Sequence, residues 1–452
     1  MDKSSRGVWK TRWGFILASA GAAVGLGNIW RFPYIAGENG GGLFVLIYLT
    51  FILLVGLPIL IGEIFLGRAA HRSPVGAYKV LAGPHSPWVG LGWLGVVSAF
   101  MLLSFYSVVG GWVLWYLSHS LGNSYSGWSV EQFQSLFNTV FASAGSTLFW
   151  VVVFMALTMA VVLKGVQRGL ELCSKVLMPL LFLVLLVLLI KGFTLDRFGE
   201  AFHFLFSLNA EKLTIQGVQE ALGHSFFTLS VGIGAMLTYG SYLPRQANIL
   251  SNASVIAILD TLVAILACMV IFPITFTYGM LPTQGPGLVF INLPIAFAQM
   301  PGGRALTTLF FLCLFFAALT SSINILELAV SYFIDERGWS RRRSTLLAGL
   351  AITALSIPAA LTGGTHLFGT RFQEILGKNW FDLMADTVCN WMLPLGGLAI
   401  ALFVPWKLAK KVRRAQIQER AADRLYGIWL WVLKYFVPIA VVAVFTHSIG
   451  LV

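Results

Sequence analysis

Long apolar runs separated by short polar segments dominate the pattern of this chain. They cover residues 13–35, 41–67, 90–118, 146–163, 170–191, 217–243, 252–281, 304–334, 344–362, 380–404 and 426–450. A membrane-spanning helix needs roughly 20 apolar residues, and most of these runs reach or exceed that length. The pattern therefore predicts an all-α polytopic membrane protein with eleven transmembrane helices, several of them tilted or extended beyond the bilayer.

Glycine interrupts the first apolar run. Residues 21–27 (GAAVGLG) contain three glycines, each of which costs a helix about 1 kcal/mol relative to alanine. Backbone groups freed at membrane depth need partners, and an open helix offers carbonyls to a cation and N–H groups to an anion. Asn28 and Arg31 add an amide and a charge, so this stretch predicts a binding site. The alternative is that the glycines serve close packing between helices.

The same pattern returns in the second half of the chain. Residues 24–27 (VGLG) are echoed by residues 231–234 (VGIG), inside the run that begins near residue 217. Interrupted helices at corresponding places in two halves are typical of transporters built from inverted repeats. The pattern thus favours alternating access around a midplane site over an open channel.

A membrane-embedded enzyme that uses Glu63, His224 and Asp260 for acid–base or metal chemistry is a third possibility. The chain has no H-E-x-x-H motif, and its His and Asp residues are scattered along the sequence. The enzyme hypothesis is therefore disfavoured relative to transport.

Composition and charge agree with a membrane protein. The 452 residues are 58% hydrophobic and 11% charged, with a net charge of +12. Of the 30 Lys and Arg residues, 22 fall on the side of the predicted spans that holds the N-terminus and 6 on the other. The positive-inside rule then places the N-terminus in the cytoplasm and the C-terminus outside. The charge indicates topology rather than nucleic-acid binding, and the basic segment 406–424 is expected to contact anionic lipid headgroups.

Four motifs together carry a resemblance to a known family. They are residues 25–33 (GLGNIWRFP), 38–42 (ENGGG), 225–230 (SFFTLS) and 319–322 (LTSS). Over nearly its whole length the chain resembles the neurotransmitter:sodium symporter family, in its bacterial amino-acid transporter branch. The resemblance implies a transporter, not an enzyme, that imports its substrate with sodium by alternating access.

The resemblance also implies a division of the chain. Residues 1–192 would form helices 1–5 and residues 193–404 helices 6–10, as a 5+5 inverted repeat in which helices 1 and 6 are broken. Residues 405–452 would form a basic cytoplasmic loop and an eleventh helix. The expected location is the inner (plasma) membrane, with an amino acid and the lipid bilayer as partners and no nucleic acid. The sequence leaves the oligomeric state open.

Two sodium sites are implied by the resemblance, and oxygen ligands are what a hard cation prefers. The first would use the Ala23 carbonyl, the Asn28 amide, Thr228, a group at Asp260 and the substrate carboxylate. The second would use the Gly21, Val24 and Ala317 carbonyls with the Thr320 and Ser321 hydroxyls. The alternative for Thr320 and Ser321 is that hydroxyls inside a membrane helix bond their own backbone.

Gly25 points to the substrate class. Family members that carry monoamines have an aspartate at this position, which glycine cannot replace, so the site resembles that of amino-acid carriers. Tyr106 matches a tyrosine that hydrogen-bonds the substrate carboxylate, although it could equally be an ordinary packing aromatic. The implied substrate site has no charged side chain and predicts neutral hydrophobic L-amino acids; its residues are Ala22, Ala23, Gly25, Leu26, Gly27, Leu102, Tyr106, Phe227, Thr228, Ser230, Ile233, Ser321 and Ile325.

Gates on both sides of this site follow from the same resemblance. Arg6 and Trp9 would form the inner gate with Asp335, Ser241 and Tyr242. At the outer gate Arg31 would act with Phe227 as the aromatic lid. The family has two acidic residues three apart in its tenth helix, whereas this chain has Asp382, Ala385 and Asp386. Either aspartate could meet Arg31, or both could simply face an outer vestibule.

Asp260 predicts that chloride is not needed. Animal relatives commonly use chloride near the first sodium site, where their seventh helix has a neutral asparagine. A fixed carboxylate at Asp260 would supply that negative charge itself. The family's Tyr48 is retained, and Ala264 lies one helical turn after Asp260. His224 replaces a usual glutamine and is expected to hydrogen-bond Asp260, which would permit proton counter-transport.

Two further features complete the expectations. Glu63 lies in the middle of the second run, where an isolated carboxylate costs roughly 2.5–3.5 kcal/mol on insertion scales. It resembles a family glutamate that accepts hydrogen bonds from the broken sixth helix. In the fifth run, Gly169 and Pro179 match a spacing linked to local unwinding on the inner side, and the proline alone predicts a kink.

Overall fold

The computed structural model describes residues 7–122, 128, 130–209, 212–280, 287–365, 367–416 and 422–448. Throughout these residues the regular secondary structure is helical. In chain order the helices are α1 Arg12–Ala23, α2 Gly27–Glu38, α3 Gly42–Ala70, α4 Pro74–Ala82, α5 Val89–Gly122, α6 Val130–Ala142, α7 Ala144–Leu163, α8 Val166–Phe193, α9 Phe198–Phe206, α10 Ile215–Thr228, α11 Ala235–Gly240, α12 Ile249–Thr277, α13 Leu288–Ala298, α14 Gly303–Arg337, α15 Arg341–Ala360, α16 Thr370–Leu376, α17 Trp380–Lys407, α18 Lys410–Ala415 and α19 Arg424–Thr446.

Nine of the helices in the described part of the chain are long and apolar enough to cross a membrane, and the bent pair α1 and α2 raises the number to ten. Each of the eleven predicted spans overlaps one of the helices or helix pairs. The run near 217–243 is divided into two shorter helices, α10 and α11. The all-helical membrane prediction is therefore confirmed, while the count of eleven crossings, the inverted repeat and the boundaries at residues 192 and 404 stay predictions.

The first break separates α1 from α2 by a bend of 49°. At the start of α1, the Thr11 hydroxyl accepts a hydrogen bond from the Gly14 N–H at 2.9 Å and caps the helix. At its end, Val24 turns to an extended backbone with φ −66° and ψ 103°. The carbonyls of the last turn of α1 thus lose their helical partners, as the glycine-rich sequence predicts.

The second break, between α10 and α11, is a longer loop with a different backbone. Ser230, Gly232 and Gly234 all have positive φ angles, of 51°, 95° and 81°. Gly232 also passes close to α17, because a Cβ on it would lie 2.1 Å from the Leu393 carbonyl oxygen. Glycine is therefore required at position 232 for both reasons.

Both breaks lie in the centre of the helix bundle. The most buried of the long helices are α14 and α5, with 83% and 78% of their most apolar windows buried. Helix α19 lies at the periphery, with 22% of its window buried. The outward faces carry exposed apolar residues such as Leu183, Ile190 and Ile439, as a lipid-facing surface requires.

Helix α8 begins irregularly at the predicted Gly169–Pro179 spacing. A wide π-helical turn, Val166–Glu171, precedes the regular α-helix, and Pro179 lies within that helix. A Cβ on Gly169 would lie 2.2 Å from the Val161 carbonyl oxygen, so this turn packs tightly on the end of α7. A π-helical turn followed by proline is a recognised cause of helix irregularity.

Candidate functional site

Glu63 satisfies the backbone N–H groups of the second break. One carboxylate oxygen accepts from Gly232 at 2.6 Å and Gly234 at 3.2 Å, and the other from Met236 at 3.0 Å and Leu237 at 3.2 Å. The side chain is fully buried in α3. The first N–H groups of a helix have no helical partner and form a positive dipole end, so one buried anion can stabilise all four. The resemblance implied this role, and the contacts agree with it.

A cluster of oxygens lies where the first break faces α10 and α12. The Asn28 amide nitrogen donates to Thr228 Oγ1 at 2.9 Å and to the Asp260 carboxylate at 2.8 Å. Thr228 in turn donates to both Asp260 carboxylate oxygens at 3.0 Å. Asn28 Oδ1 accepts from the Gly25 N–H at 2.9 Å. The fold thus brings together three side chains that the sequence assigned to the first sodium site, and all three are buried.

His224 does not make the predicted hydrogen bond to Asp260. Both of its ring nitrogens are buried without a hydrogen-bond partner. The ring stacks on Phe32 at 5.5 Å between centroids and lies tilted against Tyr48 at 5.6 Å. This expectation was wrong because the fold holds the His224 ring against Phe32 and Tyr48, while the hydrogen bonds that Asp260 accepts come from Asn28 and Thr228. The proton counter-transport hypothesis loses the contact on which it depended.

A second group of oxygens joins α1 to α14. The Ser321 hydroxyl lies 3.3 Å from the Gly21 carbonyl and 3.3 Å from the Val24 carbonyl. The Thr320 hydroxyl bonds its own helix, at 3.1 Å from the Ala317 carbonyl. Ligands about 2.3–2.6 Å from a cation of about calcium's size stand roughly 3.3–3.7 Å apart at right angles. The two Ser321 distances are of this size, whereas the Thr320 hydroxyl bonds the Phe316 and Ala317 carbonyls of its own helix, as the alternative predicted. The sodium site at these five oxygens stays a prediction.

The first break also presents N–H groups and a hydroxyl to a common point. The Leu26 N–H donates to the Tyr106 hydroxyl over a long 3.4 Å. A Cβ on Gly25 would lie 2.7 Å from Ser321 Oγ and 3.2 Å from Tyr106 Oη. An aspartate at position 25 would therefore collide with both side chains. The absence of a side chain leaves weakly held polar groups that a carboxylate can use.

A cavity of about 400 Å³ lies above this point, on the side away from the N-terminus. Of the predicted substrate residues, Leu26, Gly27, Tyr106 and Phe227 line it. The deeper residues Leu102, Ile233 and Ile325 are buried in the surrounding core and are not in its lining. We call this cavity the vestibule; the other lining residues are Trp30, Arg31, Tyr34, Phe105, Val109, Lys378, Phe381, Asp382, Ala385, Asp386, Cys389 and Asn390.

Arg31 makes no ion pair with either predicted aspartate in this structure. Its guanidinium lies 5.4 Å from the centre of the Phe227 ring and beside Tyr34 and Cys389. Asp386 is paired with Lys378 at 2.7 Å. The predicted Arg31–Phe227 contact is present. An aspartate paired with Arg31 is not seen, because Lys378 is the partner that the fold brings to Asp386; both aspartates line the vestibule, as the alternative predicted.

Asp382 is also engaged elsewhere. Its backbone N–H donates to the Asn379 side chain at 2.9 Å, and the Asn379 amide donates back to its carboxylate at 2.7 Å. This reciprocal pair caps the start of α17, where a carboxylate is favoured by the helix dipole. Asp382 therefore serves the end of its own helix.

On the N-terminal side, aromatic side chains close the bundle. The Trp9 indole N–H donates to the Tyr239 carbonyl at 2.9 Å, and its backbone N–H donates to the Tyr242 carbonyl at 3.2 Å. Its ring packs edge-on against Tyr239 and Tyr242. The Ser241 hydroxyl donates to the Thr238 carbonyl within its own segment, and its role in the inner gate stays a prediction.

Two members of the predicted inner gate have different outcomes. Arg6 lies outside the described residues. Asp335 accepts a hydrogen bond from the Ser73 N–H at 2.6 Å and so holds the start of α4.

Sequence reasoning missed an ionic network beside Tyr242. The Tyr242 hydroxyl donates to Glu327 at 2.7 Å, and Arg341 donates to both oxygens of the same carboxylate at 2.7 and 2.9 Å. Glu327 is fully buried in α14. The available signal was a lone glutamate in the apolar run 304–334, since ionisable residues at membrane depth need partners.

The sequence of this chain is similar to those of known sodium-dependent transporters. A family profile described as "Sodium:neurotransmitter symporter family" matches residues 6–139 and 128–451. YhdH of Bacillus subtilis (strain 168), named an uncharacterized sodium-dependent transporter, is 40% identical over 449 residues, which cover 98% of each chain. An uncharacterized sodium-dependent transporter of Haemophilus influenzae is 31% identical over 460 residues and 99% of each chain.

One solved structure extends the comparison to three dimensions. A crystal structure of MhsT in complex with L-phenylalanine superposes with a TM-score of 0.89 at 38% sequence identity. The match covers 98% of this chain and 100% of that one. The described helices, including both breaks, thus belong to a fold already seen with a hydrophobic amino acid bound.

Proposed function

The chain belongs to the sodium:neurotransmitter symporter family, and on that premise we propose that it imports neutral hydrophobic L-amino acids together with sodium by alternating access. The observation that carries the proposal is the first helix break. It places the Gly21 and Val24 carbonyl oxygens toward α14 and the weakly held Leu26 N–H toward Tyr106. A zwitterion with sodium needs both kinds of group in the same place.

The substrate class rests on the absence of charge around the break. Gly25 has no side chain to pair with an amine, and Ala22, Leu102, Ile233 and Ile325 are apolar and buried. A charged substrate side chain would have to be buried there without a partner, which is strongly unfavourable. MhsT, similar over its whole length, was solved with L-phenylalanine. Leucine, methionine and the aromatic amino acids are therefore the leading candidates.

We assign two sodium ions as co-substrates. The first would lie among Asn28, Thr228 and Asp260 with the Ala23 carbonyl, and the second among Gly21, Val24, Ala317, Thr320 and Ser321. The Asn28 amide can present its oxygen to a cation by rotating about its terminal bond, which exchanges the positions of its oxygen and nitrogen.

Chloride independence is the finer part of the proposal. Asp260 is fully buried, and its described hydrogen bonds come from the neutral side chains of Asn28 and Thr228. A buried carboxylate without a resident cationic partner is stabilised by a bound sodium ion. It therefore supplies the negative charge that a chloride ion would otherwise bring.

The proposed orientation places the N-terminus in the cytoplasm and the vestibule outside. The Trp9 cluster then closes the cytoplasmic side while the vestibule reaches Leu26 from outside. The basic helix α18 faces the inner leaflet, with Lys410 and Lys411 exposed to anionic headgroups.

Uptake into proteoliposomes tests the function directly. Purified protein should accumulate radiolabelled L-phenylalanine when an inward sodium gradient is imposed and not when potassium replaces sodium. In a competition panel of the twenty amino acids, leucine, methionine and the aromatic residues should displace the label, whereas glutamate and lysine should not. Sodium-independent uptake, or strong competition by glutamate, lysine or dopamine, would contradict the proposal.

Replacing chloride tests the role of Asp260. Sodium-driven uptake by the wild-type protein should be unchanged when gluconate replaces chloride. Asp260→Asn should lose uptake or become dependent on chloride, because the fixed negative charge is removed. Loss of wild-type uptake in gluconate would show that the charge of Asp260 does not substitute for the anion.

A further inference from the structure

Lys378, Asp386 and Asn390 separate two cavities. They line the vestibule, of about 400 Å³, and also a second cavity of about 500 Å³ between α10, α17 and α19. We call this second space the side cavity; its wall includes Glu220 from α10 and Phe445 from α19. The Lys378–Asp386 pair is thus part of the partition between a space open to substrate and a lateral space behind it.

The pair holds Asp386 on the side of Lys378. The lysine amine lies 2.7 Å from one carboxylate oxygen, and the Asn390 amide donates to the other at 2.5 Å. The Lys378 side chain is 47% exposed and the Asp386 side chain 29% exposed. Both ends of the ion pair therefore remain in contact with solvent, and exchange of partners does not require burial of an isolated charge.

Arg31 lines the same vestibule as Asp386. Its guanidinium lies beside Cys389, which stands three residues after Asp386 on α17. Residues three apart on a helix share a face. Asp386 therefore shares the vestibule with two cations, its partner Lys378 and Arg31 beside the Phe227 ring.

Asp382 does not compete for Arg31 in the same way. It lies one turn nearer the start of α17 and is exposed, with its carboxylate held by Asn379. Moving its carboxylate toward Arg31 would break the hydrogen bond from the Asn379 amide. The geometry thus distinguishes two aspartates that the sequence could not.

We propose that Lys378 is a latch for the outer gate. It holds Asp386 away from Arg31 while the vestibule is open, and closure of the vestibule transfers Asp386 from Lys378 to Arg31. The inference rests on the proposed function, since it identifies residues that control the opening and closing of the vestibule in that transporter. It makes Asp386 the acidic gate residue and Lys378 a positioning residue.

The physical basis is competition between two similar ion pairs. A partly exposed pair contributes a small free energy, so removing one competitor is expected to shift the open and closed populations about two- to fivefold. Removing Lys378 favours the Arg31 pair and closure, whereas removing Asp386 abolishes both pairs. The two variants should therefore change the vestibule in opposite directions.

Reagent access to the vestibule measures the proposed shift without using transport. Ala385→Cys places a thiol in the vestibule lining, and its labelling by a membrane-impermeant methanethiosulfonate is timed in sodium buffer without substrate. The parent protein, with its native cysteines, gives the background rate. Lys378→Gln should slow labelling of the introduced thiol about two- to fivefold, and Lys378→Arg should keep the original rate.

Matched variants separate the latch from a general charge effect. Arg371→Gln removes one positive charge from the nearby exposed helix α16 and should leave labelling unchanged. Adding Asp386→Asn to Lys378→Gln should restore fast labelling, and adding Asp382→Asn should not. The latch is contradicted if Lys378→Gln labels like Arg371→Gln, or if Asp382→Asn restores the rate. Failure of sodium-driven uptake would instead contradict the transport function, because labelling is read without substrate.

Discussion

The second helix break exposes backbone N–H donors, and the first exposes mainly carbonyl acceptors. The two sets of groups have different hydrogen-bond partners. At the second break, four N–H groups donate to one buried carboxylate, Glu63, at 2.6–3.2 Å. At the first break, the Gly21 and Val24 carbonyls lie 3.3 Å from a neutral hydroxyl, and the Leu26 N–H lies 3.4 Å from another. The second break is held by a fixed charge. The first is held by neutral groups, through long contacts at these three positions and shorter hydrogen bonds beside them, such as that from the Gly25 N–H to Asn28 at 2.9 Å.

This difference indicates which break serves the ligands. A donor end already neutralised by Glu63 has little left to offer a substrate carboxylate, so the second break is a rigid wall. The groups at the first break are weakly held and can exchange their partners for sodium and an amino acid without leaving buried groups unsatisfied. Variants that alter one break at a time should therefore separate these two roles.

Glu63→Gln should have the largest effect. A neutral amide presents donors to N–H groups that need acceptors, and buried unsatisfied groups cost about 1–3 kcal/mol each. With one or two groups left unpaired, the variant should lose about 2–6 kcal/mol of stability, measured as heat inactivation of L-phenylalanine binding. Glu200→Gln removes a carboxylate from an exposed pair with Arg197 and should change nothing measurable. Equal stability of the two variants would mean that the second break does not depend on a fixed charge.

Thr320→Ala should weaken sodium binding at the first break. The variant removes one hydroxyl from the second oxygen group, and a contact with a charged partner contributes about 1.5–3 kcal/mol. The sodium concentration for half-maximal L-phenylalanine binding should therefore rise about tenfold or more. Ser322→Ala is the control, because its hydroxyl bonds Leu319 and Thr158 instead. If both variants keep the wild-type sodium dependence, Thr320 is not a sodium ligand.

Ile233→Phe should test the second break as a wall of the substrate site. The residue is 1% exposed, and extra volume in a packed region costs about 1–3 kcal/mol. Competition by phenylalanine and tryptophan should fall, while competition by alanine should persist, which shifts preference toward smaller substrates. Ile233→Leu conserves volume and should keep the wild-type order of preference. An unchanged order in Ile233→Phe would place residue 233 outside the substrate site.

Ser230→Ala should have the smallest effect, on the contact between the two breaks. The Ser230 hydroxyl donates to the Ala22 carbonyl at 2.8 Å, and a neutral hydrogen bond contributes about 0.5–1.5 kcal/mol. The midpoint of heat inactivation should fall slightly, and sodium affinity should change less than about twofold. Ser225→Ala loses only a hydroxyl bonded within its own helix, to Leu222, and should be closer to wild type. A larger sodium effect in Ser230→Ala than in Thr320→Ala would reverse the assignment of the two breaks.

Local sequence patterns were sufficient to predict the helices and their breaks. The length of apolar runs and the positions of glycines are local properties of the sequence, and they predicted the helical architecture and the interruptions at residues 21–27 and 231–234. The same reasoning marked Glu63 and Asp260 as significant, because an ionisable group at membrane depth must find a partner. The family motifs then selected Asn28, Thr228 and Ser321, which the fold brings to the first break.

The side-chain partners of the ionisable groups could be identified only from the tertiary structure. Lys378 rather than Arg31 pairs with Asp386, Arg341 neutralises Glu327, and His224 packs between aromatic rings without reaching Asp260. These outcomes depend on packing between segments: Lys378 precedes α17, Arg341 lies on the helix after that of Glu327, and the rings around His224 come from α2 and α3. Which side chain pairs with which is therefore determined by how the segments pack, and it cannot be predicted from residue spacing within one helix.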